Sequence, residues 1–291
     1  MIIVISGPTC LGKSETALKV ALSFNAEIVN GDAFQSYKEM DIGVAKPPKE
    51  YFDKVPHHLF SFVEPNEPYS IMVYQKNLRK KVDEILSKGK NVVIVGGSGL
   101  YIRSALYDYE FKDEDAVDMS SYENLSNQEL HCKLEEIDPE DAKKIHPNNR
   151  KRLLRALAIY LSQNEAKSDI IAKQNHKPIY DDVHFYVRDL PREELYERIN
   201  KRVDKMIEQG LEKEVRSLYE KYGDKPQSMQ AIGYKEYIPY FKGEESLDSV
   251  IEKIKQHTRN YAKRQMTYIR HQFPTEFYKN DDELMEMIKN A

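Results

Sequence analysis

Hydrophobic positions in the first hundred residues fall into short apolar runs separated by amphipathic stretches. IIVIS at 2–6, EIVN at 27–30 and VVIVG at 92–96 are strand-sized. Between and after them the pattern predicts a helix from Lys13 to about Asn25, a long amphipathic helix from about Ser70 to Lys88, and a helix from Gly99. This alternation predicts a parallel sheet with helices on its faces. From Lys112 the chain turns polar and helix-rich, with capping signals at Asp138 before Pro139 and at Asn148 or Asn149 before RKRLLRALAIYL. A strand pattern returns at VHFYVRDL, 183–190. The rest reads as helices over 192–209, from there to Gly223, from Gly233, and from about Leu247 to Gln272, then a short strand at EFYKN and a last helix. The expected architecture is α/β: a sheet core of 1–111 and 183–291 carrying a helical insertion domain at 112–182.

At 291 residues the chain exceeds one average domain, in keeping with a core plus an inserted module. Its apolar runs are far shorter than the roughly 20 residues of a membrane span, so a soluble protein without membrane contact is expected. No signal-peptide pattern opens the chain, which makes a cytoplasmic location the expectation. Cys10 and Cys132 supply neither a disulfide framework nor a zinc spacing. The net charge of −4 argues against a protein coated in positive charge, so any contact with nucleic acid must come from local clusters.

GPTCLGKS, comprising Gly7, Pro8, Thr9, Cys10, Leu11, Gly12, Lys13 and Ser14, matches the pattern of a phosphate-binding loop between strand and helix, which predicts a P-loop NTPase-like core. Glycines let backbone N–H groups converge on oxyanions, Lys13 adds positive charge, and the Ser14 hydroxyl can ligate magnesium. Such a loop recognises a diphosphate moiety, which need not belong to ATP. In many such proteins the strand at 91–96 ends in an acid that holds magnesium or aligns a water. Here it runs into Gly96, Gly97, Ser98 and Gly99.

An acid does follow the second strand. Asp32 lies past its end, at the sheet edge where ligands bind, and from position alone reads as either a site carboxylate or a turn aspartate. Gln35 adds an amide able to pair with a nucleobase edge. Asp41 and Lys46 read as surface charges. His57 and His58 diverge as neighbours do in most backbone conformations, and a structural role is expected for them. Two basic clusters stand out: Lys143 to Arg155, with Lys143, Lys144, Arg150, Lys151, Arg152 and Arg155 and no acid between them, and the late helix. There Lys255, Arg259, Lys263 and Arg270 fall within a stripe of about 80°, while Ile251, Ile254, Tyr261, Tyr268 and Ile269 occupy a separate, core-facing stripe.

GPTCLGKS, GDAFQSYKEMDIGVAKP, VPHHL, VVIVGGSGLY, IHPNNRKRLLRAL and TRNYAKRQMTYIR occur in the order of the motifs of the bacterial tRNA dimethylallyltransferases, and the chain resembles that family over nearly its whole length. The resemblance implies transfer of an isopentenyl group from dimethylallyl diphosphate to N6 of the adenosine 3′ of the tRNA anticodon. The loop would then hold a leaving group and no water would be activated, so the strand at 91–96 needs no acid. It implies Asp32 as general base, Mg2+ as cofactor with Ser14 as ligand, and tRNA contacts from Asp32, Ala33, Phe34, Gln35 and Ser98. Further anticodon stem-loop contacts are implied for Lys151, Arg152, Arg155, Gly233, Tyr234, Lys235, Arg259, Lys263, Arg264, Gln265 and Arg270. A monomer is expected. The insertion looks shorter than is common in the family, and Ser98, Val44 and Tyr268 stand where threonine, threonine and tryptophan are frequent.

The two chemical tasks, taking the N6 proton and stabilising the departing diphosphate, are expected on adjacent strand ends facing one pocket. A base stacked in an anticodon loop must be extruded to reach it. The competing readings are a nucleotide or nucleoside kinase, an isopentenyltransferase acting on free adenine nucleotide, and a nucleic-acid-binding ATPase.

Overall fold

The computed structural model describes residues 1–111, 117–174 and 176–291. Six strands, β1 (Ile2–Ser6), β2 (Ala26–Asn30), β3 (His57–His58), β4 (Asn91–Gly96), β5 (Val183–Arg188) and β6 (Thr275–Tyr278), form one sheet in the order β3-β2-β4-β1-β5-β6. Every neighbouring pair is parallel. β1 lies in the middle, with Ile2–Ser6 in register with Val92–Gly96 on one side and Val183–Val187 on the other. Its five residues are all buried, so both faces are covered; the run is apolar up to Ser6, whose hydroxyl donates to the Gly96 carbonyl at 3.1 Å.

Side chains alternate between those faces. Ile3, Ile5, Ile28, Val93 and Val95 pack against Ala17, Val20 and Ala21 of α1 (Lys13–Ser23) and against residues of the C-terminal helix near Leu284 and Ile288. α2 (Ile71–Leu86) buries Tyr74, Leu78, Val82 and Ile85 and packs along β2 and β4. Its start is fixed by Ser70, whose side chain accepts from the Val73 N–H. α3 (Gly99–Leu106) follows β4, and α4 (Arg192–Glu208), α5 (Leu211–Tyr222), α6 (Leu247–Gln272) and α7 (Asp281–Lys289) complete the core.

The helix expected from Gly233 begins only at Tyr237. Gly233 has φ 94° and its N–H is taken by the Glu236 carboxylate at 2.8 Å, so the segment is a left-handed turn before it is a helix. The two histidines form the edge strand. His58 Nε2 meets Glu27 Oε2 at 2.7 Å and His57 Nδ1 meets the Val55 carbonyl at 2.7 Å.

The chain divides into two compact units, residues 1–106 with 180–291, and residues 107–179. The smaller unit starts at 107 rather than 112 and stops at 179 rather than 182, because its two ends pair with each other. Tyr107 and Pro178 form an antiparallel bridge, and the Asp108 N–H donates to the Lys177 carbonyl at 2.9 Å. Lys112, the expected boundary, lies outside the described residues. Within the smaller unit the helices Asn127–Ile137 and Arg150–Gln163 share a core of Leu130, Leu134, Leu153, Ala156 and Leu157. Asp138 and Asn149 cap the helices that follow them. Arg150 leaves the expected basic cluster: its guanidinium donates to the carbonyls of Tyr122, Glu123 and Leu125.

Candidate active site

The loop after β1 turns on two glycines. Gly7 has φ 131°, and a Cβ there would stand 2.9 Å from Leu11 Cδ1, while Gly12, at φ 76°, turns the chain into α1. Lys13 is half-buried, and its ammonium donates to the carbonyls of Gly7 at 3.0 Å and Pro8 at 2.6 Å. Burial and the nearby Arg202 push the Lys13 pKa down to about 8, against the opposing pull of Asp32. Arg202, from α4, also reaches Cys10, with Nη1 at 3.9 Å from Sγ. Arg188, at the end of β5, donates to the Leu11 carbonyl at 3.3 Å and to Asp281 Oδ1 at 3.4 Å. Asp281 further accepts from Thr16 at 3.0 Å and Lys19 at 2.8 Å, tying loop, α1 and the C-terminal helix together.

The strand ends carrying the loop and Asp32 are not adjacent. β4 lies between β1 and β2, and its glycines keep the space above it open. The Gly31 N–H donates to the Val95 carbonyl at 2.7 Å, and a Cβ on Gly96 would stand 2.0 Å from the Gly31 carbonyl carbon. A side chain at Gly97 would meet Gln265 of α6, and one at Gly99 the Tyr268 ring. An acid at this strand end would collide with the backbone of Gly31, just past β2, or with α6.

Across that gap stands Asp32. Its backbone is fixed by Asn30, whose side chain bonds the Asp32 N–H and the Asp32 carbonyl, each at 2.8 Å. One carboxylate oxygen accepts from the Phe34 N–H at 3.0 Å, so Asp32 closes a turn and lines the cavity at once. Burial raises its pKa above the ordinary aspartate value, opposed by the Phe34 N–H and by Lys13.

The far wall is backed by two acids that the sequence reading passed over, Glu214 half-buried and Glu236 buried. Glu214 of α5 accepts from the N–H groups of Asp41, Ile42 and Gly43 at 2.8–3.1 Å and from the Tyr234 hydroxyl at 2.6 Å. It pins the loop that carries Val44 and Ala45, whose carbonyls accept from the Gln35 amide at 3.0 and 3.2 Å. Glu236 holds Gly233 and meets His257 Nδ1 at 2.7 Å. Lys46, expected on the surface, is buried with its ammonium on the Tyr37 carbonyl and on Asp41. No sequence signal marks Glu214. Arg202 had one, since it lies beside the apolar stripe of Ile199, Val203 and Met206.

Together these elements enclose a cavity of about 760 Å³. Of the expected site residues, Thr9, Cys10, Leu11, Gly12, Lys13, Ser14, Asp32, Phe34, Gln35, Gly233, Lys235, Arg264 and Gln265 line it. Gly7, Pro8, Ala33, Ser98 and Tyr234 stand behind that wall. The Ser98 hydroxyl accepts from the Ala33 N–H at 3.2 Å, and Tyr234 is fully buried with its hydroxyl on Glu214, so its side chain serves the wall rather than a ligand surface.

The basic stripe of α6 divides. Lys255 pairs with Asp204 at 2.8 Å and Arg259 donates to Asn200 at 2.6 Å, both on α4. Lys263 and Arg270 are exposed. Tyr261, expected in the core, lines the cavity. Lys151, Arg152 and Arg155 are exposed on the helix Arg150–Gln163 of the smaller unit.

Among the described residues no group of three or more His, Cys, Asp or Glu could hold a metal by itself. Ser14, at the start of α1 and in the cavity wall, offers one oxygen. This donor set fits a divalent cation that arrives on a diphosphate and keeps phosphate oxygens and water as its other ligands. Among the described residues no helix is long and apolar enough to cross a membrane.

Comparison with known proteins shows the family. The IPP transferase family matches residues 35–272. A tRNA dimethylallyltransferase of Anoxybacillus flavithermus is 43% identical over 99% of this chain and 94% of its own length. The crystal structure of a tRNA delta(2)-isopentenylpyrophosphate transferase from Staphylococcus epidermidis is 40% identical, with a TM-score of 0.74 over 99% of this chain and 97% of that one. A eukaryotic dimethylallyltransferase caught acting on tRNA is 27% identical, with a TM-score of 0.83 over 99% of this chain and 77% of that one. With a family match over most of its residues and relatives alike almost end to end, the chain belongs to the IPP transferase family.

Proposed function

We propose that this protein transfers the dimethylallyl group of dimethylallyl diphosphate to N6 of the adenosine on the 3′ side of the tRNA anticodon. One observation carries the reading: the half-buried carboxylate of Asp32 faces a phosphate loop across a strand end of glycines, inside one cavity. Family membership supports the substrates.

The adenine N6 lone pair is delocalised into the ring, so N6 is a poor nucleophile until its proton is taken. As the bond from N6 to the allylic carbon forms, the carbon–oxygen bond to the diphosphate breaks and the N6 proton passes to Asp32. The products are N6-dimethylallyl adenosine and diphosphate. Burial helps Asp32 by making the carboxylate a stronger base. Lys13, Arg202 and the N–H groups of the loop meet the charge that grows on the departing diphosphate. Ser14 would ligate the cation, taken here as magnesium, which supplies further charge to the leaving group when bound. Gln35, with its amide hydrogens held by Val44 and Ala45, presents its carbonyl oxygen as an acceptor for the adenine edge. The base reaches the cavity by extrusion from the anticodon loop. Lys151, Arg152, Arg155, Lys263 and Arg270 would meet tRNA phosphates, and the enzyme would act as a cytoplasmic monomer.

Radiolabelled dimethylallyl diphosphate incubated with the protein, magnesium and an unmodified anticodon stem-loop should transfer label to the RNA. Label moving to AMP or ATP but not to RNA, or phosphoryl transfer from ATP in its place, would overturn the reading.

A further inference from the structure

The phosphate loop is braced by residues that do not line the cavity. Within six residues it passes three times through positive φ, at Gly7, Cys10 and Gly12, with values of 131°, 69° and 76°. A backbone of that shape persists where surrounding contacts over-determine it. Lys13, in the cavity wall, bonds the carbonyls of Gly7 and Pro8. The other limb is held by Arg188, which is not part of that wall. Its Nη1 donates to the Leu11 carbonyl at 3.3 Å, and a Cβ on Gly12 would stand 3.5 Å from the same nitrogen. In a planar trans peptide the C=O and N–H point opposite ways. A Leu11 carbonyl held on Arg188 therefore aims the Gly12 N–H to the side away from Arg188, where Gly12 lines the cavity.

Arg188 is set in place by the C-terminal segment. It ends β5 in register with Tyr278 of β6, its guanidinium lies 6.0 Å from the centre of the Tyr278 ring, and the Asp189 N–H donates to the Tyr278 carbonyl at 2.7 Å. Three residues on, Asp281 opens α7. Its Oδ1 accepts from Arg188 at 3.4 Å and from the buried Thr16 at 3.0 Å, and its Oδ2 from Lys19 at 2.8 Å. Against burial, the bonds from Lys19 and Thr16 hold the Asp281 carboxyl below the ordinary aspartate range, so it is charged at neutral pH. Tyr278, Leu284 and Ile288 anchor this segment in the core beneath α1. With side chains only 22% and 21% exposed, Arg188 and Asp281 form a bracket of fixed geometry rather than a loose surface pair.

Resting on the function proposed above, we infer that Arg188 and Asp281 are positioning residues for the diphosphate: Arg188 holds Leu11 and Gly12, and Asp281 holds Arg188 and the first turn of α1, in the conformation that receives the leaving group. The C-terminal strand and helix thereby belong to the diphosphate site without lining it.

Calorimetry of the full chain with magnesium and inorganic diphosphate reads this site without any transfer, alongside KM and kcat for dimethylallyl diphosphate and Kd for an anticodon stem-loop. Arg188→Ala and Asp281→Ala should each raise the Kd for diphosphate about five- to tenfold, the worth of roughly one hydrogen bond. KM should rise in step, with kcat and the RNA Kd within about twofold of the parent. The double variant should lose little more than the worse single one, because both act through one bracket. Asp281→Asn keeps an oxygen for Thr16 and Arg188 and gives up the charge that Lys19 meets, so it should recover part of the affinity. Arg188→Ala decides alone where Asp281→Ala does not fold. Parental diphosphate affinity in the alanine variants, even with a lowered melting temperature, would reduce the bracket to an anchor for the C-terminal segment and overturn the inference. Equal weakening of diphosphate and RNA binding would do the same. A parent that binds diphosphate but transfers no prenyl group would count against the catalytic reading alone.

Discussion

The side-chain amide of Gln265 donates to the Gly97 carbonyl at 2.8 Å, and a Cβ on Gly97 would stand 2.1 Å from that same nitrogen. The obstacle is the far end of a flexible side chain, which can turn away. At Gly96 it is the backbone of Gly31, 2.0 Å off, which cannot. Gly97→Ala should therefore fold with a loss of about 1 kcal/mol, near the worth of one hydrogen bond. Gly96→Ala should lose more than about 4 kcal/mol or fail to fold. Urea unfolding of the two variants checks the order, and equal losses would mean that the strand ends are less closely packed than described.

Asp32→Asn keeps the shape and the turn but removes the base. Single-turnover transfer should fall by about 10² to 10⁴ with RNA affinity within a few-fold of the parent. Asp32 works only when deprotonated and burial raises its pKa. The parental rate should therefore climb with pH through a limb lying above that of an exposed aspartate, then level. The limb should vanish in Asp32→Asn, and its survival would assign the base elsewhere.

Lys13 should control the alkaline side. Its pKa, pushed down to about 8 by burial and Arg202, means that the cation is present below about pH 8 and lost as pH rises through it. kcat/KM for dimethylallyl diphosphate should fall above that point. Bound diphosphate favours the ammonium, so the matching limb in kcat should lie at higher pH. Lys13→Ala should weaken diphosphate binding as well as slow transfer. A flat kcat/KM profile to pH 10 in the parent would refute the assignment.

Glu214→Ala would strand three backbone N–H groups and the Tyr234 hydroxyl. A loss of about 3 kcal/mol is expected, with a raised KM for RNA because the loop behind Gln35 is released. Gln in its place should recover part of both. Thermal unfolding and steady-state kinetics on the two variants decide it, and parental behaviour in Glu214→Ala would leave this carboxylate without a positioning role.

Much of the core was legible because its signals are local. IIVIS, the glycines and Lys13 of the loop, and the helix ending at Gly210 each carry their geometry in neighbouring residues. Strand order is not local. Nothing in EIVN or VVIVG says that β4 intervenes between β1 and β2, so the gap above Gly96 and Gly97 appears only in three dimensions. Glu214 and Glu236 are hidden for a related reason: in a helix pattern a glutamate reads as solvated, and only folding brings the N–H groups of Asp41 to Gly43 to it. Helical spacing put Lys255 and Arg259 on one stripe with Lys263 and Arg270, but α4 covers the first two.

The Tyr107–Pro178 bridge makes the smaller unit a detachable cassette. Paired residues on neighbouring strands have Cα atoms only about 5 Å apart, so the two ends are already as close as those of a tight hairpin. Replacing 108–177 with a two-residue turn would ask almost nothing of the core in loop entropy. The cassette can therefore lengthen or shrink from one lineage to another without disturbing the register in which β5 docks beside β1.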